Sequence, residues 1–155
     1  MTHQLDTSSG VRQLRVIVEA DDYDAAVTFY RDVLGMNELS AFAEGGDDRV
    51  AILDAGRATI EIANSVHKAA IDRVEGVTEQ SSRLRLAFEV DDTARTTEAL
   101  EAAGAKVIAP PVMTPWHSLN ARLEAPADLQ ITVFQETVTT EQRASLPGFD
   151  TGDRR

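Results

Sequence analysis

Two arginines stand at the same place in a repeated segment. Residues 14–22 read Leu-Arg-Val-Ile-Val-Glu-Ala-Asp-Asp and residues 84–92 read Leu-Arg-Leu-Ala-Phe-Glu-Val-Asp-Asp, with apolar residues wherever the copies differ. Each copy sets one guanidinium, Arg15 or Arg85, on the face opposite its apolar set. A guanidinium presents donors in a rigid fork and has no lone pair, so it suits a carboxylate, phenolate or carbonyl oxygen and cannot ligate a metal. A second cluster, Thr114-Pro115-Trp116-His117-Ser118-Leu119-Asn120, carries the chain's only tryptophan. Its indole can stack on a flat or cationic molecule while His117 and Asn120 supply hydrogen bonds; the same ring packs equally well into an interface. The other histidines, His3 and His67, fall in a polar N-terminal stretch and a polar connector. With no cysteine there is no thiolate nucleophile, disulfide or sulfur-bound zinc.

The elements that must hold these residues are legible from periodicity. Over 14–20, Leu14, Val16, Val18 and Ala20 alternate with Arg15, Ile17 and Glu19, the pattern of a strand with one covered face. Asp22 can cap the helix that follows. Its apolar stripe Tyr23, Ala26, Val27, Tyr30, Val33 and Leu34 ends at Gly35. Strand-like runs follow near 37–43, 49–54 and 58–63, where Ile60 and Ile62 go under the helix and Glu61 faces the other way. A polar connector with a short helix around Lys68 to Val74 leads to the second copy. There a strand at about 83–90 covers Leu86, Phe88 and Val90 and leaves Arg85, Ala87 and Glu89 opposite. A helix capped by Asp92 stops at Gly104, and strands follow near 105–109, 117–124 and 129–135. Pro110-Pro111 and Pro126 are expected to punctuate these strands, since proline cannot donate to a central ladder. On the last, Ile131 and Val133 are covered and Thr132 is not. The domain reading is a polar arm at 1–11, a first unit at 12–64, a connector at 65–82, a second unit at 83–136 and a polar, aperiodic tail at 137–155.

Composition bounds the partners. The chain has 155 residues, 43% hydrophobic and 26% charged, an ordinary globular make-up in which two small units share a core. No run of about 18 apolar residues is present and Met1 to Gly10 is polar, so neither a membrane span nor a signal peptide is expected, and a cytoplasmic location is. A net charge of −11, from 26 acidic and 15 basic residues, repels a phosphate backbone, so nucleic acid is not expected as a partner. An acidic surface attracts cationic small molecules; charge of this size also simply keeps a protein soluble. The thirteen arginines against two lysines, with abundant alanine, point to a GC-rich bacterial source.

The repeated β-α-β-β-β order, the helix end Phe29-Tyr30-Arg31-Asp32-Val33-Leu34-Gly35 and the Ala125-Pro126-Ala127-Asp128 turn before the last strand resemble the vicinal oxygen chelate superfamily of glyoxalase I, bleomycin-resistance proteins and extradiol dioxygenases. The resemblance covers roughly residues 12–136. It implies an α+β fold in which two tandem βαβββ units form an open, curled mixed sheet, a pair of half-barrels around a concave cavity, in a homodimer. The family's metal enzymes take a ligand from the first and last strand of each unit. Carried over, those positions are Arg15, Glu61, Arg85 and Thr132, of which only Glu61 suits a cation. The resemblance is therefore to the metal-free branch, with no metal site and no cofactor. Glu61 either neutralises Arg15 and Arg85 in a buried network or acts as a base, a role that neighbouring arginines weaken by lowering its pKa. Trp116, His117 and Asn120 border the implied cavity mouth, and Phe42 and Phe134 are candidates for its wall. The expected function is binding of a small cationic or aromatic, antibiotic-like molecule, with resistance by sequestration. The alternatives are a lyase, isomerase or dioxygenase acting on a small oxygenated substrate, and a partner-binding module with a vestigial cavity.

Overall fold

The computed structural model describes residues 15, 16, 18, 20–41, 46–58, 64–79 and 81–147, and within it the second repeat is a complete β-α-β-β-β unit. Strand β3 (Arg85–Glu89) leads to helix α3 (Thr93–Ala102), then to β4 (Lys106–Met113), β5 (Ser118–Ala125) and β6 (Leu129–Glu136). Asp92 starts α3 by accepting a hydrogen bond from the Arg95 amide at 3.0 Å. Gly104, at φ +104°, ends it in a conformation open to glycine. The four strands lie in the order β3-β6-β5-β4: β6 enters between β3 and β5, parallel to the first and antiparallel to the second. One face of this open sheet is apolar. Leu86, Phe88, Ala121, Leu123, Ala125, Ile131 and Val133 meet Leu100 of α3 there, and Leu100, Leu123, Ile131 and Val133 are fully buried. The alternation that makes that face apolar makes the other one polar.

The architecture is α+β, as expected. Local differences have physical causes. Pro110 and Pro111 do not end a strand; they lie inside β4, which tolerates them because it is an edge strand whose register with β5 shifts between Val107 and Ala109 and again before Val112. The β5–β6 turn places Ala127 and Asp128 at φ +69° and +56°, the left-handed pair of a tight hairpin. The stretch after Glu136 contains a short helix, α4 (Thr140–Ala144), because Thr139 and Gln142 form a reciprocal capping box.

In the first repeat, helix α1 (Tyr23–Val27), capped by Asp22, continues as a π-helical turn over Thr28–Val33 before Gly35 at φ +84°. Its stripe was expected to cover Val16 and Val18. Both are exposed, at 47% and 40%, and residues 15, 16, 18 and 20 belong to no strand. The helix spends that stripe elsewhere. Phe29, 2% exposed, joins the core of the second repeat; Tyr30 packs against Phe29 and Phe88 and donates its hydroxyl to the Pro126 carbonyl at 3.0 Å. Of the three runs expected after Gly35, β1 (Glu38–Leu39) and β2 (Ile52–Leu53) pair antiparallel over two residues each, and residues 59–63 lie outside the described residues. The connector carries helix α2 (Ser65–Val74), longer than expected because Asn64 caps it through the His67 amide.

Candidate functional site

The polar face of the sheet is where the repeat sets Arg85, and the structure builds a centre around it. Arg85, half-buried on β3, donates from Nη1 to Thr132 Oγ1 at 2.6 Å across the β3–β6 pair. The two second-repeat positions therefore converge. Directly opposite Thr132 on β5 stands Arg122, fully buried. Nothing on the sheet neutralises it. Its counter-charges come from the connector helix: Nη1 donates to Asp72 Oδ1 at 3.0 Å, and Nε and Nη2 donate to Glu75 Oε2 at 2.9 and 2.6 Å. Glu75, 2% exposed, directly follows α2 and lies over the sheet.

Two further groups contact Glu75. Asn120 Nδ2 donates to its Oε1 at 2.9 Å and the Thr132 hydroxyl to its Oε2 at 3.3 Å. Asn120 in turn accepts from the Ser118 hydroxyl at 2.6 Å, and the Thr114 and Ser118 hydroxyls are 3.0 Å apart. Thus a line of buried groups runs from the β4–β5 turn to one carboxylate. Asp72 is held separately, by the Ser81 hydroxyl at 2.6 Å and by Lys68, whose Nζ also donates to the Ser81 carbonyl at 2.9 Å. Burial pushes the Asp72 carboxyl up, but the hydrogen bonds from Ser81 and Arg122, with the charges of Arg122 and Lys68, outweigh it and hold the carboxyl below its ordinary value.

The expected site residues distribute as follows. Arg85, Thr132 and Asn120 belong to the centre, and Phe134 is half-buried opposite Asn120. Trp116 and His117 form the turn that leads into β5; Trp116 is half-buried, and His117 is exposed at φ +61°, its carbonyl accepting from the Thr137 amide and hydroxyl. Arg15 is exposed. Glu61 and Phe42 lie outside the described residues. Arg122, Glu75 and Asp72 were not anticipated. The signal for Arg122 was present, since Ser118, Asn120 and Arg122 alternate with Leu119, Ala121 and Leu123 along β5. Glu75 offered none, because nothing local marks which acid of a polar connector will be buried.

The resemblance implies a metal position where Arg85 and Thr132 meet. The donor set there does not fit a metal ion: two guanidinium groups, Arg85 and Arg122, bring positive charge and no lone pair. No cluster of three His, Asp or Glu side chains suited to a metal occurs among the described residues. Two surface grooves of about 400 and 430 Å³ lie on the helix-covered side, one lined by Asp22, Thr28, Phe29 and Ala103, the other by Thr97, Glu98, Val107 and Pro110.

Residues 12–133 match the model of the Glyoxalase/Bleomycin resistance protein/Dioxygenase superfamily. No curated protein matches the chain. Among solved structures, a protein of unknown function from Agrobacterium tumefaciens is similar at 21% identity, TM-score 0.55, over 82% of this chain and 95% of that one. A glyoxalase-related enzyme from Fulvimarina pelagi is similar at 19% identity, TM-score 0.52, over 81% and 89% of the two chains. A superfamily member from Sphaerobacter thermophilus is similar at 18% identity, TM-score 0.50, over 77% and 92%. At these identities the likeness is one of fold.

Proposed function

The chain belongs to the glyoxalase/bleomycin resistance protein/dioxygenase superfamily, and from that premise we propose that it is a metal-independent binding protein that holds a small molecule on the polar side of its sheet and acts by sequestration. One observation supports this reading: Arg85 donates to Thr132, two of the positions at which the resemblance implies metal ligands, and fully buried Arg122 stands opposite Thr132, so guanidinium groups gather there. A guanidinium binds oxygen anions and polarised carbonyls through directed hydrogen bonds, but it creates no metal-bound nucleophile. Trp116 at the adjoining turn supplies a stacking surface for an aromatic or cationic group, and the acidic chain favours cations at longer range. Assembly as a homodimer is part of the proposal, supported by apolar side chains exposed in the first repeat, among them Val16, Val18, Leu39 and Val50.

The test is a thermal-shift screen on chelator-stripped protein with cationic glycopeptides, quinones and small carboxylates, run with and without zinc, nickel or manganese. A ligand that binds only the folded form raises the melting temperature saturably. The expected result is at least one such ligand whose shift is indifferent to metal. Stoichiometric metal retention after desalting, or shifts that appear only with metal, would overturn the proposal.

A further inference from the structure

The hydrogen bonds from the β5–β6 face to Glu75 and Asp72 all run one way. Every group on the β5–β6 face that touches Glu75 is a donor: Asn120 Nδ2, Arg122 Nε and Nη2, and the Thr132 hydroxyl. These come from two strands in rigid register, with Asn120 two residues from Arg122 and Arg122 opposite Thr132. Both carboxylate oxygens are engaged, Oε1 by an amide and Oε2 by a guanidinium edge and a hydroxyl. That is the geometry of a carboxylate receptor, and Glu75 fills it as a mould fills its cast.

The filler is not part of the sheet. It follows α2, and among the described residues the polar contacts that tie this segment to the rest of the chain are Asp72 to Arg122 and Ser81, Lys68 to Ser81, and Glu75 to the receptor. On its outer side α2 leaves Val66 76% exposed. A helix latched by ion pairs separates from a face at less cost than one seated by apolar packing, because water can resolvate both sides of an ion pair.

From these two facts we infer that the polar face is a carboxylate-binding site and that α2 with Glu75 is its internal occupant, displaced by a ligand carrying a carboxylate. The inference rests on the binding reading above and narrows it to a ligand class. A monocarboxylate competes poorly with a tethered Glu75, since the tether gives the internal group a high effective concentration. A ligand whose carboxylate is joined to a flat ring gains a second contact at the β4–β5 turn. The buried line Thr114–Ser118–Asn120 connects that turn to Glu75, so vacating the receptor alters the surroundings of Trp116.

The experiment uses the intact chain and two variants, Glu75→Ala and the milder Glu75→Gln. Sodium acetate and sodium benzoate are titrated against sodium chloride at equal ionic strength, with acetamide and benzamide as uncharged controls. In either variant the carboxylates should raise the melting temperature saturably, by about 3–6 °C at a tenfold excess over Kd, and the amides should not. In the unaltered protein, benzoate should accelerate amide exchange over 65–74, leave β5 and β6 protected, and shift Trp116 emission. No carboxylate-specific shift in either variant, together with unchanged exchange at 65–74, would overturn the inference. Should Glu75→Ala fail to fold, Glu75→Gln and the exchange measurement decide it. Metal-indifferent ligands that bind without a carboxylate and without loosening α2 would overturn this inference and leave the proposed function standing. Acetate filling Glu75→Ala while no library molecule binds the parent would uphold the receptor and count against the sequestration reading.

Discussion

At the scale of single residues, the centre turns on one buried cation and the two acids that face it. Removing Glu75 leaves Arg122 with only Asp72 as counter-charge, so Glu75→Ala should cost about 3–5 kcal/mol in urea unfolding at neutral pH. Glu75→Gln, which keeps an acceptor, should cost less, and Arg122→Met combined with Glu75→Gln should cost less than the two changes summed. Additive losses would show that the pair does not couple. Tyr30 offers a test by pH. Burial raises its hydroxyl from 10.0 to about 12, so the folded state holds a proton that the unfolded state releases. Stability from this group is present below pH 10 and is lost as pH rises from about 10 to about 12. Alkaline unfolding of the Tyr30→Phe protein should lack that loss. Arg85 and Thr132 were readable in the sequence because strand alternation fixes which side chains share a face, and their 2.6 Å contact shows the positions meeting. Arg122 obeys the same alternation along β5, but alternation alone does not mark a charged side chain as buried. Asp72 and Glu75 were not readable, because their burial depends on where the connector lies, and a polar connector carries no periodic signal for that.

At the scale of elements, helix starts and stops were the most legible features. Asp22 and Asp92 each accept an amide hydrogen bond at a helix start, and Gly35 and Gly104 close the two equivalent helices at positive φ, whereas the start of α2 at Asn64 was not legible. An added Cβ at Gly104 would meet nothing within 4 Å, so any cost there is backbone strain alone. Gly104→Ala should destabilise by about 1–3 kcal/mol, with the far-ultraviolet spectrum unchanged; a neutral result would mean that α3 is not held by its C-terminal turn. Strand limits were less legible. Pro110 and Pro111 argue against a ladder only where the strand is central, and sequence alone does not say that β4 lies at an edge.

At the scale of the whole molecule, the two repeats share one core. The second owns a four-stranded sheet, and the first lends its helix to the second's core, through Phe29 against the cluster of Leu100, Leu123 and Ile131. Phe29→Ala should therefore cost about 3–5 kcal/mol and broaden the methyl resonances of Leu123 and Ile131, residues some 90 to 100 positions away in sequence. Loss confined to residues 23–39 would show the helix to be a local ornament. The strand order β3-β6-β5-β4 carries one more consequence. Because β6 is the only strand paired with β3 among the described residues, that pairing cannot form until α3, β4 and β5 have all been made. During that interval Leu86 and Phe88 have no completed sheet beneath them. Translation therefore exposes a sticky segment for the time needed to make about fifty residues, and a synonymous change that slows decoding between 90 and 129 lengthens the window for aggregation without altering the finished protein.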